Sequence, residues 1–287
     1  MPDIQNQEEQ PVVKKATLIL VTRDRAAEVE AALQCIEASV NRAELEVIVM
    51  DNGSVDGTNS VSDKYGDKIT YLRLPKNFGW VKAVNIALRS AQTELIFLVD
   101  PAVQLAADTA AKLIAALDEN NDASAAVAVL TTASGEPVAI ARDLPVPGKL
   151  TPPFRQLGSG ETTVAYPPFK AFMLRKIFLK GMNFLDSRFG DSWADAEICF
   201  QIRNAGKKIL VVPDAKATAG PGSQPQEDEE FVEADFVQGA AIYIGKHWGL
   251  MNSIGYRLQS ILIALVTFKV GLFFNLINGQ KIDGSQA

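Results

Sequence analysis

The sequence predicts an α/β fold in which a mostly parallel β-sheet is flanked by helices. Short apolar runs alternate along the first half of the chain with segments whose apolar residues recur at helical spacing. The strand-like runs are apolar throughout, which is typical of parallel strands that are buried on both faces. Alternation at this spacing indicates βαβ units, and therefore a parallel sheet.

The predicted elements begin at residue 16. Strands are expected over residues 16–22, 45–50, 69–74, 94–99 and 125–130. Helices are expected over residues 26–39, 80–91 and 106–120, with a turn and a short helix within 55–66. The apolar faces of the helices at 26–39 and 80–91 are predicted to consist of Val29, Leu33 and Ile36, and of Val81, Val84 and Leu88.

The alternation breaks at residue 131 and returns near residue 170. The intervening segment is rich in Pro, Gly and Thr, so we expect loops and short strands there. The strand-like segment AFMLRKIFL follows, and then a helix over 193–205 and a strand over 208–213. After the stretch GPGSQPQ, the chain is predicted to be helical to residue 247 and to continue as an apolar amphipathic tail to residue 278.

Composition and charge exclude several classes of protein. The 287 residues carry a formal net charge of −6, which argues against a nucleic-acid partner. Cys35 and Cys199 lie far apart, which excludes a disulfide framework or a thiolate zinc site and fits a reducing cytosol. The single histidine, His247, excludes a metal site built from several histidines. The polar N-terminal segment lacks an apolar core, so we expect no signal peptide and a cytoplasmic protein.

Polar side chains gather where the predicted strands end. The first strand ends at Thr22, DNGSVDGT follows the second strand, PKNFGW the third, and Asp100 the fourth. Because ligands of parallel sheets bind beyond the carboxyl ends of the strands, these side chains predict a site suited to a nucleobase and ribose. The chain has neither GxGxxG after the first strand nor GxxxxGK[ST], which disfavours dinucleotide oxidoreductases and P-loop NTPases.

Five segments, taken in order, resemble family 2 glycosyltransferases. VIVMDNGSVDGT, LPKNFGWVKAVNIAL and ELIFLVD are similar to the nucleotide-binding half of that family, and WADAEICFQIRNAGKKILVVPDA is similar to its acceptor-side motif. AFMLRK resembles the strand before that motif. AIYIGKHWG and the apolar tail resemble the C-terminal helices of members that act on cell-envelope polysaccharides, including rhamnosyltransferase-like members. The resemblance implies a Rossmann-like GT-A fold and inverting transfer of a sugar from a nucleotide donor.

The same resemblance divides the chain into three parts. Residues 1–15 are expected to be a flexible N-terminus, and residues 16–222 a GT-A domain. The nucleotide half of that domain is 16–105 and the acceptor half is 106–222. Residues 223–287 form a C-terminal helical extension, which we expect to associate with the inner face of the cell membrane.

The residues assigned to the nucleotide sugar by resemblance are Thr22, Asp51, Asn77, Asp100 and Lys170. Asp51 would accept a hydrogen bond from N3–H of uracil or thymine, because an ionised carboxylate only accepts hydrogen bonds, and Thr22 would line the base. The alternative for Asp51 is an Asx turn that caps the next helix. Asn77 either braces a loop over the donor or has a purely structural hydrogen-bonding role.

Asp195 is the predicted catalytic base. Inversion requires a carboxylate that removes the proton of the acceptor hydroxyl as its oxygen attacks the anomeric carbon. In the family this base opens the helix that begins with WADAE, where Asp195 stands, with Glu197 two residues further on. The alternative is that Asp195 only stabilises the helix N-terminus through the helix dipole.

The departures from the family pattern fall in the metal-binding residues. The family motif after the fourth strand ends in a carboxylate that binds a divalent cation, and here that position is Ala102. A histidine that many members carry after the Pro-ended strand is replaced by Ala219 or Gly220. Asp100 is then the only obvious ligand for Mg²⁺ or Mn²⁺, which prefer several oxygen ligands. Two interpretations stay open: Lys170 supplies positive charge in place of the metal, or the site has lost its activity.

The tail at 254–277 carries a narrow polar stripe on a broad apolar face. The stripe consists of Arg257, Ser260, Ala264, Thr267, Gly271 and Asn275. Such a face suits a helix that lies in a membrane interface or packs on a partner, and the alternative is packing on its own domain. The longest charge-free run is too short for a spanning helix.

The sequence therefore predicts an inverting glycosyltransferase that uses a UDP- or dTDP-sugar and acts on a cell-envelope glycan or a lipid-linked acceptor. The second hypothesis is a non-catalytic relative that binds nucleotide sugar or a partner enzyme. Asp51 and Asp195 favour the first hypothesis, whereas Ala102 and the missing histidine favour the second.

Overall fold

The computed structural model describes residues 12–220, 222 and 228–284. These residues form one eight-stranded sheet. Its strands are β1 (Ala16–Thr22), β2 (Leu45–Asp51), β3 (Thr70–Arg73), β4 (Leu95–Val99), β5 (Val103–Leu105), β6 (Ala123–Thr131), β7 (Ala171–Arg175) and β8 (Lys208–Ala219). The five strands predicted before residue 131 are confirmed, whereas the three-residue strand β5 escaped the sequence analysis because it is too short to show a pattern.

Helices flank the sheet and follow it at the C-terminus. They are α1 (Ala26–Glu37), α2 (Ser60–Tyr65), α3 (Trp80–Ser90), α4 (Thr109–Glu119), α5 (Lys176–Gly181), α6 (Ala194–Asn204), α7 (Glu229–Trp248), α8 (Leu250–Val266) and α9 (Val270–Ile277). The predicted apolar residues of α1 and α3 are all buried, namely Val29, Leu33, Ile36, Val81, Val84 and Leu88. Truncating one such leucine to alanine is expected to cost about 2–5 kcal/mol.

The sheet has the order β3-β2-β1-β4-β7-β6-β8-β5. The first four strands of that order are parallel, as predicted. β7 is antiparallel to β4 and β6, β8 is parallel to β6, and β5 is antiparallel to β8. β7 reverses direction because the chain reaches it through the irregular segment 132–170 and not through a crossover helix. The α/β fold class is confirmed, with a mixed second half.

The strand order places a switch point between β1 and β4. The chain runs from β1 to β2 and β3 on one side of β1, and then returns to β4 on the other side. The loops after β1 and β4 therefore leave the sheet in opposite directions and open a crevice at its carboxyl edge. Ligands of open α/β sheets bind at such a point.

The C-terminal helices continue the core of the domain. Tyr243 of α7 is fully buried, and its ring contacts those of Trp193 and His247. Gly239 of α7 lies directly against Trp193, where a Cβ atom would come within 2.7 Å of the indole ring. The extension predicted at 223–287 is thus joined to the α/β domain through α7. The part of the predicted flexible N-terminus at 1–11 lies outside the described residues, and Lys15 N donates to Glu44 O at 2.8 Å.

The predicted amphipathic tail consists of two helices, α8 and α9. The chain turns at Phe268, whose φ of 57° lies in the left-handed region. Ala264 of the stripe is buried in a cluster with Ala234 and Val237 of α7, together with the apolar Leu272 and Leu276 of α9. A Cβ atom on Gly271 would meet the Glu230 carboxylate of α7. Packing on the chain's own domain was one of the alternatives from the sequence, and it uses part of the stripe together with apolar residues of α9.

The broad apolar face of α8 and α9 points outward. Its members are between 41 and 87 % exposed and include Leu250, Met251, Ile254, Leu258, Leu262, Ile263, Leu265, Val266, Phe268, Val270, Phe274 and Ile277. A monomeric protein rarely exposes an apolar patch of this extent without a binding role. Over the described residues, none of the helices combines the length and apolar content needed to cross a membrane.

Candidate functional site

The strand registers bring the predicted site residues to one edge of the sheet. Thr22 is paired with Asp51 across β1 and β2. Val99 is paired with Ala171 across β4 and β7, so Asp100 and Lys170 are the next residues on each side. The backbone confirms this, because Asp100 N donates to Lys170 O at 2.9 Å. The expectation that these side chains share an edge is correct.

Asp51 makes contacts within the protein on both carboxylate oxygens. Its side chain is 0 % exposed. Oδ1 accepts from Ser54 N at 2.7 Å, Oδ2 accepts from the Tyr71 hydroxyl at 2.6 Å, and Arg73 Nε lies 3.5 Å from Oδ2. Burial, together with the hydrogen bond to Asp51, raises the pKa of Tyr71. The hydrogen bond from Ser54 is the turn contact considered as the alternative, although α2 begins only at Ser60. The role of Asp51 as a direct nucleobase acceptor stays a prediction.

An amide pair joins the loops that follow β2 and β3. Asn52 Nδ2 donates to Asn77 Oδ1 at 2.7 Å, and Asn52 Oδ1 accepts from Phe78 N at 2.9 Å. Gly53 has a φ of 84°, and a Cβ atom there would lie 2.4 Å from the backbone carbonyl carbon of Lys76. Only glycine permits this approach of the two loops. Asn77 thus connects its loop to the loop after β2 through the hydrogen bond from Asn52.

Thr22 carries an unsatisfied hydroxyl group. The residue is 2 % exposed, and within the described part of the chain its Oγ1 has no hydrogen-bond partner. Buried hydroxyl groups are nearly always paired, so an orphan at the predicted ligand edge indicates a partner that the protein itself does not supply.

The loop after β1 is fixed to the loop after β2. Asp24 has a φ of 51°, its N donates to Ser54 Oγ at 3.0 Å, and its Oδ1 accepts from Val55 N at 2.6 Å. Asp56 Oδ2 accepts from Ala26 N, the first residue of α1, at 2.9 Å. These bonds set the position of the residue between them, Arg25.

Arg25 spans the crevice between β1 and β4. Its Nη2 donates to Asp100 Oδ1 at 2.9 Å, and its Nε and Nη2 contact Glu28. The side chain is 12 % exposed. Burial by itself would lower the pKa of Arg25, but the hydrogen bonds and charges of Asp100 and Glu28 raise it above its usual value. The crevice therefore contains a permanent positive charge.

The residues around Asp100 do not fit a divalent cation. Oδ1 of Asp100 accepts from Arg25 and also from Ala102 N at 2.8 Å, which closes a turn. Ala102 provides no side-chain oxygen, and its carbonyl accepts from Gly220 N at 2.8 Å. Across the described ranges, no group of three or more His, Cys, Asp or Glu side chains is placed to hold a metal ion. Asp100 is an anchor for a guanidinium in this chain, and its predicted metal-binding role does not match its surroundings.

Lys170 directly precedes β7 and lies beside Asp100 through its backbone carbonyl. The residue is half-buried. Its ammonium group has no hydrogen bond or ion pair to any residue that the structure describes. The compensating charge considered for Lys170 stays a prediction.

Asp195 lies in the first turn of α6 and is 30 % exposed. Its Oδ2 accepts from the Tyr166 hydroxyl at 2.6 Å and lies 3.7 Å from Arg142 Nη2. Arg142 stacks between two rings, with its guanidinium carbon 3.6 Å from the Tyr166 centroid and 4.2 Å from that of Phe154. Burial and the charge of Asp195 raise the pKa of Tyr166 well above its usual value, so Tyr166 remains a donor.

A cavity of about 330 Å³ lies beside Arg142. Its lining includes Arg142, Arg155, Glu161, Cys199, Arg203 and Lys208. The basic side chains outnumber the acidic ones, so the wall of this cavity is cationic.

Glu197, the other carboxylate in WADAE, belongs to a structural network. It is almost completely buried, Oε1 lies 2.7 Å from Lys246 Nζ, and Oε2 lies 2.6 Å from His247 Nε2. Burial alone would raise the pKa of Glu197, but hydrogen bonds from Lys246, Gln201 and His247 lower it. This network joins α6 to α7, so Glu197 does not face the same surroundings as Asp195, and His247 is a partner of Glu197.

Asp191 caps a helix that is distant in sequence. Its Oδ1 accepts from Trp80 N, at the start of α3, at 2.5 Å. Although the residue as a whole is exposed, protein atoms surround its carboxyl group. This desolvation, opposed by the Trp80 hydrogen bond and supported by the charge of Asp235, raises the pKa of Asp191 to about 6. Through this contact the loop before Asp195 is fixed to the loop that carries Asn77.

Sequence reasoning missed three side chains of the site: Arg25, Arg142 and Tyr166. Arg25 stands three residues beyond Thr22, where the first predicted strand ends, so its reach to Asp100 depends on a loop. Arg142 and Tyr166 lie in the irregular segment 132–170, where no periodicity indicates which side chains return to the sheet edge.

Comparison with known proteins agrees with the fold. A family model described as Glycosyl transferase family 2 matches residues 17–181, which is more than half of the chain. No curated protein matches the sequence.

Solved structures share the fold at low sequence identity. A structure of GalNAc-T7 with UDP, GalNAc and Mn²⁺ has a TM-score of 0.64 and 12 % identity over 81 % of this chain, and this chain spans about half of that one, 48 %. A structure of S. aureus TarS 1–349 with UDP-GlcNAc has a TM-score of 0.62 and 18 % identity, covering 80 % of this chain and 66 % of that one.

A third structure is similar over nearly its whole length. The mannosyltransferase PcManGT from Pyrobaculum calidifontis, in complex with GDP-Man and Mn²⁺, has a TM-score of 0.59 and 17 % identity, covering 95 % of this chain and 88 % of that one. At these identities the likeness establishes the GT-A type of α/β fold that the sequence predicted.

Proposed function

The chain belongs to glycosyl transferase family 2, and we propose that it transfers a hexosyl or rhamnosyl group, with inversion, from a UDP- or dTDP-sugar to a cell-envelope glycan or lipid-linked acceptor. The observation that carries the proposal is the crevice between β1 and β4. It brings an orphaned hydroxyl on Thr22 and the guanidinium of Arg25 to the edge where α/β sheets bind nucleotides. The three similar structures are complexes with UDP, UDP-GlcNAc or GDP-Man, which supports a nucleotide-sugar donor.

In this proposal the nucleoside binds above β1 and β2. Thr22 Oγ1 donates to or accepts from the nucleoside, which satisfies the hydroxyl that the protein leaves unpaired. Asn77, held by Asn52, supports the loop that lies over the donor. Asp51 acts on the nucleobase either directly or by fixing the turn at Ser54. The diphosphate then extends toward Asp100 and Lys170.

Asp195 is the proposed general base. Its carboxylate removes the proton of the acceptor hydroxyl while that oxygen forms a bond to the anomeric carbon. The bond from the anomeric carbon to the diphosphate breaks, and its electron pair leaves with the diphosphate. The exposed fraction of Asp195 leaves room for an acceptor, and Tyr166 and Arg142 keep the carboxylate in place.

The cavity beside Arg142 is the proposed acceptor subsite. Its cationic wall suits a glycan or lipid-linked acceptor that carries negative charge. Arg142 lies in the cavity wall and near Asp195, so one side chain connects the two.

The exposed apolar face of α8 and α9 is the proposed membrane contact. Aliphatic and aromatic side chains cover it, while Ala264, Leu272 and Leu276 are buried in the cluster with α7. This distribution suits a helical hairpin that lies in the interface plane of a bilayer, where a lipid-linked acceptor is located. Insertion of the apolar face removes from water a surface that no described residue covers.

A non-catalytic relative remains the second candidate, because Ala102 removes a carboxylate that catalytic family members use. Calorimetric titration of the full chain with UDP and dTDP, followed by assay of donor-sugar hydrolysis and transfer, separates the two. We expect binding of at least one nucleotide and measurable release of its diphosphate from the sugar. Binding without any turnover would favour the non-catalytic candidate, and the absence of binding to either nucleotide would reject the donor proposal.

A further inference from the structure

The metal site expected from the family and the side chains of this chain disagree at Asp100. A divalent cation on a donor diphosphate neutralises charge and requires several oxygen ligands in near-octahedral geometry. Here Ala102 and Gly220 stand close to Asp100 and bring no side-chain oxygen, and Asp100 Oδ1 already accepts from a guanidinium and from a backbone N–H.

We propose that Arg25 is the cation of the donor site, and that this chain binds the diphosphate of its donor without a divalent metal. The inference rests on the proposed function, because it concerns the same nucleotide-diphosphate ligand. Arg25 follows β1 and reaches the residue that follows β4, so its charge lies in the crevice at the switch point.

The geometry leaves Nη1 of the guanidinium for a ligand. Nε and Nη2 of Arg25 are used by Glu28 and Asp100, which fix the plane of the group. Among the described residues, none accepts a hydrogen bond from Nη1. The two N–H bonds of Nη1 diverge from one nitrogen, so each can donate to a different phosphate oxygen.

The neighbours of Arg25 on the side of Ala102 are small. Gly222 lies near both residues: a Cβ atom built on it would be 3.8 Å from Arg25 Nη2 and 3.8 Å from the Ala102 Cβ. Ala102, Gly220 and Gly222 bring no side-chain donor or acceptor to the guanidinium, whereas the family pattern has a carboxylate and a histidine in these segments. Lys170, in register with Asp100, adds a second positive charge to the same edge.

The chemical role follows from the charge. When the bond between the anomeric carbon and the diphosphate breaks, the electron pair stays on the leaving phosphate oxygen, and the negative charge there increases. A guanidinium already in position stabilises this charge without reorganisation. Because the pKa of Arg25 is raised by its carboxylate partners, the group keeps its proton throughout.

The test compares diphosphate and nucleoside binding with and without metal. UDP, dTDP, uridine and thymidine are titrated into the full chain by calorimetry, once in EDTA and once in Mn²⁺. The variants are Arg25→Ala, Arg25→Lys and, as a matched control, Arg89→Ala on the exposed surface of α3. Thermal unfolding of each variant shows whether it is folded.

We expect the unsubstituted protein to bind the diphosphate equally well in EDTA and in Mn²⁺. Arg25→Ala should weaken diphosphate binding at least tenfold, about 1.4 kcal/mol, and leave nucleoside binding unchanged. Arg25→Lys should recover part of the lost diphosphate affinity. Arg89→Ala should bind the diphosphate as well as the unsubstituted protein does. If Arg25 had only a structural role, the Arg25→Ala variant would lose affinity for nucleoside and for diphosphate alike.

Two results would overturn the inference while leaving the proposed function in place: tight diphosphate binding only in Mn²⁺, or an Arg25→Ala variant with unchanged diphosphate affinity. Equal losses of nucleoside and diphosphate binding in a folded Arg25→Ala variant also overturn it. Failure of the unsubstituted protein to bind any of the four probes rejects the proposed function itself.

Discussion

The Tyr166 hydroxyl donates a hydrogen bond of 2.6 Å to Asp195 Oδ2. It links the end of the irregular segment 132–170 to the first turn of α6. Since Tyr166 is buried and its pKa is raised, its hydroxyl keeps its proton and remains a hydrogen-bond donor to the Asp195 carboxylate. A carboxylate held in one position is what the proposed inversion requires.

Asp195→Asn is expected to abolish transfer and to leave donor affinity nearly unchanged, because the base acts on the acceptor and not on the nucleotide. Tyr166→Phe, its matched control, removes one hydrogen bond and keeps the base. We expect Tyr166→Phe to retain turnover at a reduced kcat, because the carboxylate is still present but loses the hydrogen bond that positions it. Measurable transfer by Asp195→Asn at the unsubstituted rate would remove Asp195 from the role of base.

Asp51→Ala is expected to weaken UDP or dTDP binding at least tenfold and to lower the free energy of unfolding by about 2 kcal/mol or more. The second effect arises because Ser54 N, Tyr71 and Arg73 lose their common acceptor. Tyr71→Phe separates the two effects, since it keeps the carboxylate and should cost about 1 kcal/mol with binding retained. Unchanged nucleotide affinity in Asp51→Ala would remove Asp51 from the site.

Ala102→Asp restores the carboxylate of the family motif, and its effect should depend on Arg25. In the single variant the new carboxylate lies close to the guanidinium, so we expect only a small gain of affinity in Mn²⁺ over EDTA. In the double variant with Arg25→Ala, Asp100 and residue 102 are both available, and Mn²⁺ should restore diphosphate binding. Calorimetry in both conditions measures this, and a double variant indifferent to Mn²⁺ would contradict the prediction.

Leu262→Asp is expected to reduce binding to phospholipid vesicles, because it places a charge in the middle of the apolar face of α8. Ile177→Asp is the matched control, since Ile177 is also exposed but lies on α5. Cosedimentation with vesicles of phosphatidylethanolamine and phosphatidylglycerol, at low and high salt, measures the effect. Equal binding by both variants, or none by the unsubstituted protein, would reject the membrane contact.

Asp191 is expected to make stability fall as the pH rises. Its pKa of about 6 in the folded protein exceeds the ordinary value of 3.8, so the folded state binds more protons between these two values. The contribution of Asp191 to the free energy of unfolding is present below that pH window and is lost as the pH rises through it. Urea unfolding across the window should show Asp191→Asn becoming more stable relative to the unsubstituted protein.

Asp186 provides a control for that experiment, because its pKa is shifted in the opposite direction to that of Asp191. Burial alone would raise its pKa, but hydrogen bonds from Arg188 and Lys246 hold it well below the ordinary value. Its contribution is therefore lost only under more acid conditions, and Asp186→Asn should differ from the unsubstituted protein by a nearly constant amount across the window of Asp191. A constant difference for Asp191→Asn as well would contradict the prediction.

The parallel half of the sheet was predictable because its strands are continuous apolar runs, whereas the direction of β7 was not. The connection from β6 to β7 contains no periodic element, so its sequence does not specify a crossover. Local pattern also did not show that the tail turns at Phe268, since the stripe from Arg257 to Asn275 keeps its spacing through the turn.

For the site as well, residues at strand ends were predictable and residues in loops were not. Thr22, Asp51 and Asp100 were found because the end of a strand fixes where a side chain lies. Arg25 and Tyr166 were not found, because their positions depend on side-chain reach across the crevice and on the return of a long loop. Such contacts are set by tertiary packing and leave no regular spacing in the sequence.

The contact between Trp193 and Gly239 makes the site sensitive to the C-terminal helices. Trp193 stands two residues before Asp195 with a φ of 76°, and α7 passes so close that residue 239 has no room for a side chain. α7 also carries α8 and α9 on its other side. The helix that seats the apolar hairpin is thus the same one that packs against the segment carrying Asp195, and no side chain at residue 239 separates the two.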